Sequence, residues 1–505
     1  MTRSAPRFFA LLVMLGLMGF LAAAQSQSEL AVDRTATFKT IIPHRNAIPA
    51  AKPTTEIPAG DEAEGEALFL GFTGSAYAVG ATITPTSTVP EAEEHIAVDP
   101  NNFNHLITMI SDFSQNGGFN TSKFAFSSNN GGSWAEKFVP LSGGFPATAD
   151  NHIWQANSDP VVAIDKKGNV FLANLYLQAD NKGNVTNDGY YVCSATLASG
   201  PTFKQTGCHP VKTTLTPSTS VEDKPWLGVD NSSSTTAGNV YASWTHFTAS
   251  SDMIFFSRST NHGVSWSTAI RINPTSQNGA VQGSQVAVGP AGEVYVAYEV
   301  FFAGVKGQHF IAKSTNGGVS FSTPVALTPV FNNLTFSSTY RTNSFPALAV
   351  SPVAGKAFIY DVYTDQPGAS SRTAFVHSKT AGGLTFTSPI SANDSTKGQR
   401  LMPAVAADTK GVVHISWFDT RRSGTSTDHL DIFATYTKNN GLSFAPNARV
   451  TSVQIAAGGA GFIGDYSGIA SEPDSTNSLA HPVWTNGGVG GTTSGRMQTA
   501  TLTVP

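Results

Sequence analysis

Seven short apolar segments recur along the chain at nearly even spacing, and each is closed by a tight turn. They read Ile96-Ala97-Val98-Asp99, Val162-Ala163-Ile164-Asp165, Leu227-Gly228-Val229-Asp230, Val286-Ala287-Val288-Gly289, Leu348-Ala349-Val350-Ser351, Val405-Ala406-Ala407-Asp408 and Gly468-Ile469-Ala470-Ser471. With Val98, Ile164, Val229, Val288, Val350, Ala407 and Ala470 as register marks, the steps are 66, 65, 59, 62, 57 and 63 residues. A repeat of this length marks a unit that cannot bury its own apolar face and must stack on copies of itself. A second strand follows each turn, as in Val240-Tyr241-Ala242-Ser243-Trp244 and Val413-His414-Ile415-Ser416-Trp417. These runs are apolar on nearly every residue, as strands covered on both faces are. The expectation is an all-β propeller of four-stranded antiparallel blades. Seven blades are favoured, with six as the alternative if the last unit only completes the ring.

Composition agrees. Glycine numbers 47 and phenylalanine 32, while charged residues make up only 13% with a net charge of −4. That suits many short strands joined by turns, and the absence of a basic block argues against nucleic acid as a partner. Met1–Ala24 has Arg3 and Arg7 ahead of an apolar run from Phe8 to Ala23, the form of a secretory signal peptide. An uncleaved membrane anchor is the other reading of it, but no later segment is long enough to span a bilayer. Residues 25–90 read as a linker or lead-in, and residues 91–505 as the propeller. The last unit is short by one strand. Ala67–Thr73 or Ala76–Thr84 is expected to close the ring from the N-terminal side. The protein is expected outside the cytoplasm as a monomer.

A third motif follows the register marks. Ser127–Trp134, Ser259–Trp266, Ser314–Phe321 and Thr437–Phe444 share the pattern S/T-x-N-x-G-x-S-W/F, and Ser378–Phe386 is a degenerate copy with one extra residue. The Asn side chain is expected to bond backbone N–H groups of its own turn, the Gly to take a left-handed conformation, and the aromatic to fill the seam between sheets. The second unit lacks the motif, and Cys193 and Cys208 flank the place where it belongs. A disulfide stapling that hairpin, or two separate thiols, are the readings.

These copies resemble the Asp-box, or BNR repeat, of the sialidase superfamily, with Asn at the usual Asp position. The resemblance covers residues 94 to the C-terminus. It implies a propeller whose boxes join third and fourth strands and serve structure alone. The function it implies is a sialidase-like propeller that binds glycan or extracellular protein on the channel face, or acts as an exo-acting glycoside hydrolase. Residues at inner-strand starts and second-strand ends lie on the face opposite the boxes. From that pool, Asp465, Tyr466, Asp223, Asp159 and Glu299 are the candidates for acid, base and nucleophile roles. Lys224, Asp419, Arg400, Arg421, Arg422, Trp244 and Trp417 are the candidates for substrate contacts. Ion pairs that merely lace the blades are the competing reading for Asp223-Lys224 and for Asp419 with Arg421 and Arg422. The family's Phe/Tyr-Arg-Ile/Leu-Pro motif is missing: its place reads Pro90-Glu91-Ala92-Glu93-Glu94-His95, and Arg400-Leu401-Met402-Pro403 stands in the wrong unit. This weighs against sialic acid. No cofactor is expected, and no loop signature points to calcium.

Overall fold

The structure, a computed structural model, describes Ile83 and most of the chain from Glu91 to Val504. It leaves out 84–90, 116–118, 142–153, 180–184, 198–199, 216–219, 249–250, 336–340, 354, 424–428, 458–462, 474–476 and 488–495. The described residues form seven antiparallel sheets. The inner strands are Glu91–Val98, Ala156–Ile164, Ser220–Val229, Val281–Val288, Ala347–Val350, Arg400–Ala407 and Gly468–Pro473. Each contains or ends on one of the seven register marks, so the chain is a seven-bladed β-propeller and the six-bladed alternative falls. In blade 1 the order is Glu91–Val98, Leu106–Gln115, Phe119–Ser127 and Ala135–Phe138, each paired with the next.

Seven apolar seams hold neighbouring blades together. Phe171, Ala173 and Val192 of blade 2 meet Leu227, Val240 and Trp244 of blade 3. Tyr360, Val362 and Phe375 of blade 5 meet Ile415, Trp417 and Phe433 of blade 6. Second strands are covered from both sides, which is why their sequences lack alternation. Blade 7 is completed from both ends of the chain. Arg496–Thr499 and Leu502–Val504 both pair with Ser478–Asn486. The Ile83 amide donates to the Met497 carbonyl at 2.9 Å, and Ile83 is buried among Ile96, Ile110, Val483 and Met497. The rest of Ala76–Thr84, and all of Ala67–Thr73, lie outside the described residues.

The four Asn turns fold alike. In the blade 3 copy, Asn261 Oδ1 accepts from the Ser265 amide at 2.9 Å and from the Ser259 hydroxyl at 2.9 Å, while Asn261 Nδ2 donates to Ser265 Oγ. Gly131, Gly263, Gly318 and Gly441 all have φ between 77° and 82°. The closing aromatic packs on the preceding blade: Phe321 meets Phe256 at 4.7 Å, and Phe444 meets Phe375 at 5.3 Å. Blade 2 uses the other device. Cys193 and Cys208 face each other across its third and fourth strands and are joined by a disulfide. No helix among the described residues is long and apolar enough to cross a membrane.

Strand register fixes the two faces of the ring. Val98 pairs with Leu106, and Leu106 with Ser127, so the Asn turn and the inner-strand turn share one face. Glu91 pairs with Asp112 at the other end, where the inner strands begin.

Candidate functional site

At that second face the inner strands do something irregular. Pairing slips between Ala92 and His95, Ser158 and Val161, Gln282 and Gln285, and Leu401 and Ala404, with a matching slip opposite Asp223–Trp226. At each slip one residue takes a positive φ: Glu93 (66°), Asp159 (53°), Lys224 (49°), Gly283 (69°) and Met402 (47°). Four of the five are not glycine, so each stores on the order of 1 kcal/mol or more of strain. Each lies five residues before its register mark. The same count reaches Phe345 in blade 5 and Asp465 in blade 7. The bulges of blades 1, 2 and 3 bring Glu93, Asp159 and Lys224 together across the blades, whereas Met402 in blade 6 stays in an apolar seam.

The charged members of this set converge. Lys224 Nζ sits 2.7 Å from Asp159 Oδ2, 2.6 Å from Asp465 Oδ2 and 3.4 Å from Glu93 Oε1. Blades 7, 1, 2 and 3 thus place one ammonium among three carboxylates, with the Lys224 side chain only 8% exposed. Arg341 Nη1 binds the same Asp465 oxygen at 2.9 Å, and Asn343 Nδ2 binds the other at 3.0 Å. Both come from the segment before blade 5, so they reach past blade 6 to blade 7. Asp223 takes the Lys224 amide at 2.8 Å and the Gln282 side chain at 3.0 Å. An aromatic group adjoins the cluster, with Lys224 Nζ 6.0 Å from the centre of the Tyr466 ring. Trp226 meets His95 at 5.0 Å and Tyr466 at 5.8 Å, and the Tyr466 hydroxyl donates to the Pro160 carbonyl.

Burial and neighbouring charge split the titration of these groups. Burial, helped by Asp159, pushes Glu93 up to about 8 against the pull of Lys224. Burial raises Asp223 to about 6, opposed by Lys224. Burial would raise Asp465 too, but Arg341 and Lys224 hold it below the usual carboxylate range. Burial would lower Lys224, yet Asp159, Asp465 and Glu93 keep it charged. Burial pushes the Tyr466 phenol well up and His95 down to about 4, so both are neutral near pH 7.

Five of the sequence candidates are therefore brought together: Asp465, Tyr466, Asp223, Asp159 and Lys224. The others sit elsewhere. Glu299 accepts from Asn333 at 3.0 Å and pairs across the strands with His309, in blade 4. Arg400 is fully buried and donates to the carbonyls of Ser371, Lys397 and Gly398. Arg421 grips Asp419 through Nε and Nη2, reaches Asp394 at 2.8 Å and stacks on Phe433. Arg422 lies 3.7 Å from Asp431. Trp244 and Trp417 are each 1% exposed and donate to Glu222 and Asp419 inside the seams. Glu93, Arg341 and Phe345 escaped the sequence reading. Counting five residues back from each mark finds Glu93 and Phe345. No local signal marks Arg341, which acts from a connecting segment.

No family model matches the chain, and no curated protein sequence does. Among solved structures it is similar to the Hadza microbial sialidase Hz136, at 15% identity over 79% of this chain and 73% of that one, with a TM-score of 0.42. It is similar to the GH93 α-L-arabinofuranosidase of Fusarium graminearum in complex with arabinobiose, at 10% identity over 85% and 98%, TM-score 0.46. It is also similar to a PL25 ulvan lyase bound to a GlcA(1-4)Rha3S unit, at 10% identity over 85% and 93%, TM-score 0.43.

Proposed function

We propose that the channel mouth binds a neutral glycan. The observation that carries this is the convergence of Glu93, Asp159 and Lys224, each at a strained bulge, with Asp465 of blade 7 onto one point beside Arg341 and Asn343. Strain repeated at one face and matched to a polar cluster is a mark of a functional site. The half-buried rim of His95, Trp226, Gln282, Arg341, Asn343 and Tyr466 offers donors, acceptors and aromatic faces, the mixture sugar hydroxyls and C–H groups require. Lys224 and Arg341 are both engaged by carboxylates, so a ligand carboxylate meets no unmatched cation. That favours a neutral sugar over sialic acid.

One observation favours a second reading, glycoside hydrolysis. Glu93 is held protonated near pH 7 beside an ionised Asp465, and such a divergence supplies an acid and a base in one site. Tyr466 is less suited to act as nucleophile, because its phenol is buried and donates to Pro160.

A glycan array probed with labelled protein tests the binding reading, with R341Q as the control. Arg341 is 32% exposed on its side chain, and Lys224 and Asn343 still hold Asp465 when it is replaced. Neutral glycans bound by the wild type and weakened at least tenfold in R341Q are the expected result. Binding to no glycan would overturn the reading. A panel of chromogenic glycosides decides the hydrolytic reading: turnover abolished by E93Q supports it, and no turnover on any member sinks it.

Export belongs to the same proposal. The Met1–Ala24 segment has the form of a signal, and the Cys193–Cys208 bridge suits an oxidising compartment. N-terminal sequencing of protein from the culture medium tests it, and an intact Met1 would contradict it.

A further inference from the structure

The seven positions five residues before the register marks divide by chemistry. Blades 7, 1, 2 and 3 contribute Asp465, Glu93, Asp159 and Lys224, whereas blades 4, 5 and 6 contribute Gly283, Phe345 and Met402. Gly283 and Phe345 are one device. A β-carbon on Gly283 would collide with the Phe345 ring, and the backbone there has φ of 69°. The ring of blade 5 thus lies against bare backbone of blade 4, beside Gln282, which is bonded to Asp223. Phe345 is nonetheless only half-buried, while Met402 is 3% exposed. Asn343, two residues earlier, is fastened to Asp465, which pins the segment that carries the ring. Trp244 and Trp417 are sealed in blade seams, so they present no face to a ligand.

We infer that Phe345, seated on Gly283, is the stacking platform that selects a sugar ring with an unbroken C–H face, as in a neutral β-galactosyl or β-glucosyl unit. The inference rests on the glycan-binding reading above and deepens it. The C–H bonds of such a face carry slight positive charge, and the face of an aromatic ring carries negative charge, so the two attract while apolar area is buried. Polar groups near a platform then fix the hydroxyls, and here Gln282 adjoins Gly283 in the chain while Asn343 and Arg341 lie two and four residues before Phe345. Sugars with an axial hydroxyl breaking that face lose the contact.

Calorimetry and saturation-transfer NMR on the full chain test this, with lactose, cellobiose and methyl α-mannoside as probes. The variants are F345W, F345L and R341Q. F345L keeps apolar bulk over Gly283 and removes the π-face. If F345L melts out, G283A replaces it, since it displaces the ring without deleting it. The expected result is binding of lactose or cellobiose in preference to the mannoside, retained within about threefold in F345W and weakened at least tenfold in F345L. Wild-type affinity in a folded F345L, with binding still weakened in R341Q, overturns the platform and leaves the glycan reading standing. Failure of every neutral sugar to bind overturns both.

Discussion

The residues at the channel mouth contribute to the pH response of the fold. Burial holds Glu93 protonated up to about 8 in the folded chain, against about 4.5 for a carboxyl in water. Its folded form therefore binds more protons between those values, so stability is fully present below about pH 4.5 and declines as pH rises through 8. The E93Q variant is expected to flatten this decline, read as melting temperature against pH from 5 to 9. An unchanged slope would mean that Glu93 is not the titrating group. Removing the central cation is harsher. K224M leaves Glu93, Asp159 and Asp465 crowded without their ammonium, and breaking such a buried pair costs about 3–5 kcal/mol. Urea unfolding measures it, and a loss below about 1 kcal/mol would contradict the described cluster. Some of this site was legible in the sequence. Asp159, Asp223, Lys224, Asp465 and Tyr466 stand at strand starts, where the fold forces them inward. Arg400 stands at such a start too, but its guanidinium is surrounded by the carbonyls of Ser371, Lys397 and Gly398 and turns away.

At the scale of the element, the Asn turns carry the comparison between pattern and structure. Their S/T-x-N-x-G-x-S spacing was readable because each residue has one local job, and the bonds of Asn261 match that reading. N261A is expected to cost about 1–2 kcal/mol, since one backbone N–H loses its acceptor. The glycines differ in a way the pattern hides. A β-carbon on Gly131 has nothing closer than 3.7 Å, whereas one on Gly441 meets the Phe375 ring at 2.5 Å. Both have φ near 82°, so both alanine variants are strained, but G441A is expected to be the more damaging by thermal melting. Equal losses would show that the blade 5–6 seam yields more easily than the geometry implies. Trp244 and Trp417 mark the limit of strand-level reading. Position along a strand places them near the mouth, but only the neighbouring blade decides that they are covered.

The whole molecule is a ring, and its closure depends on a residue that precedes the first repeat. Ile83 supplies an amide to Met497 and fills the seam of blades 7 and 1, while Glu91 takes the Met497 amide from the other side. A chain starting after Ile83 leaves that edge open, and edges recruit other chains. It is expected to melt lower and to associate in size-exclusion chromatography; a monomer of unchanged stability would contradict ring closure at this point. Even spacing made the seven-fold ring readable, because every unit must reach the same seam. Arg341 was not readable, because it crosses from blade 5 to blade 7 and no repeat predicts a contact that skips a blade.

Hydrogen exchange with and without a saturating neutral glycan decides where the sugar binds, because it locates the ligand on the ring without prior choice of residue. Binding at the channel mouth predicts slowed exchange in peptides covering 91–95, 222–226, 341–345 and 464–467, with the Asn-turn peptides near 131, 263, 318 and 441 unchanged. Protection confined to the Asn-turn face, or none at the mouth under saturation, would contradict it.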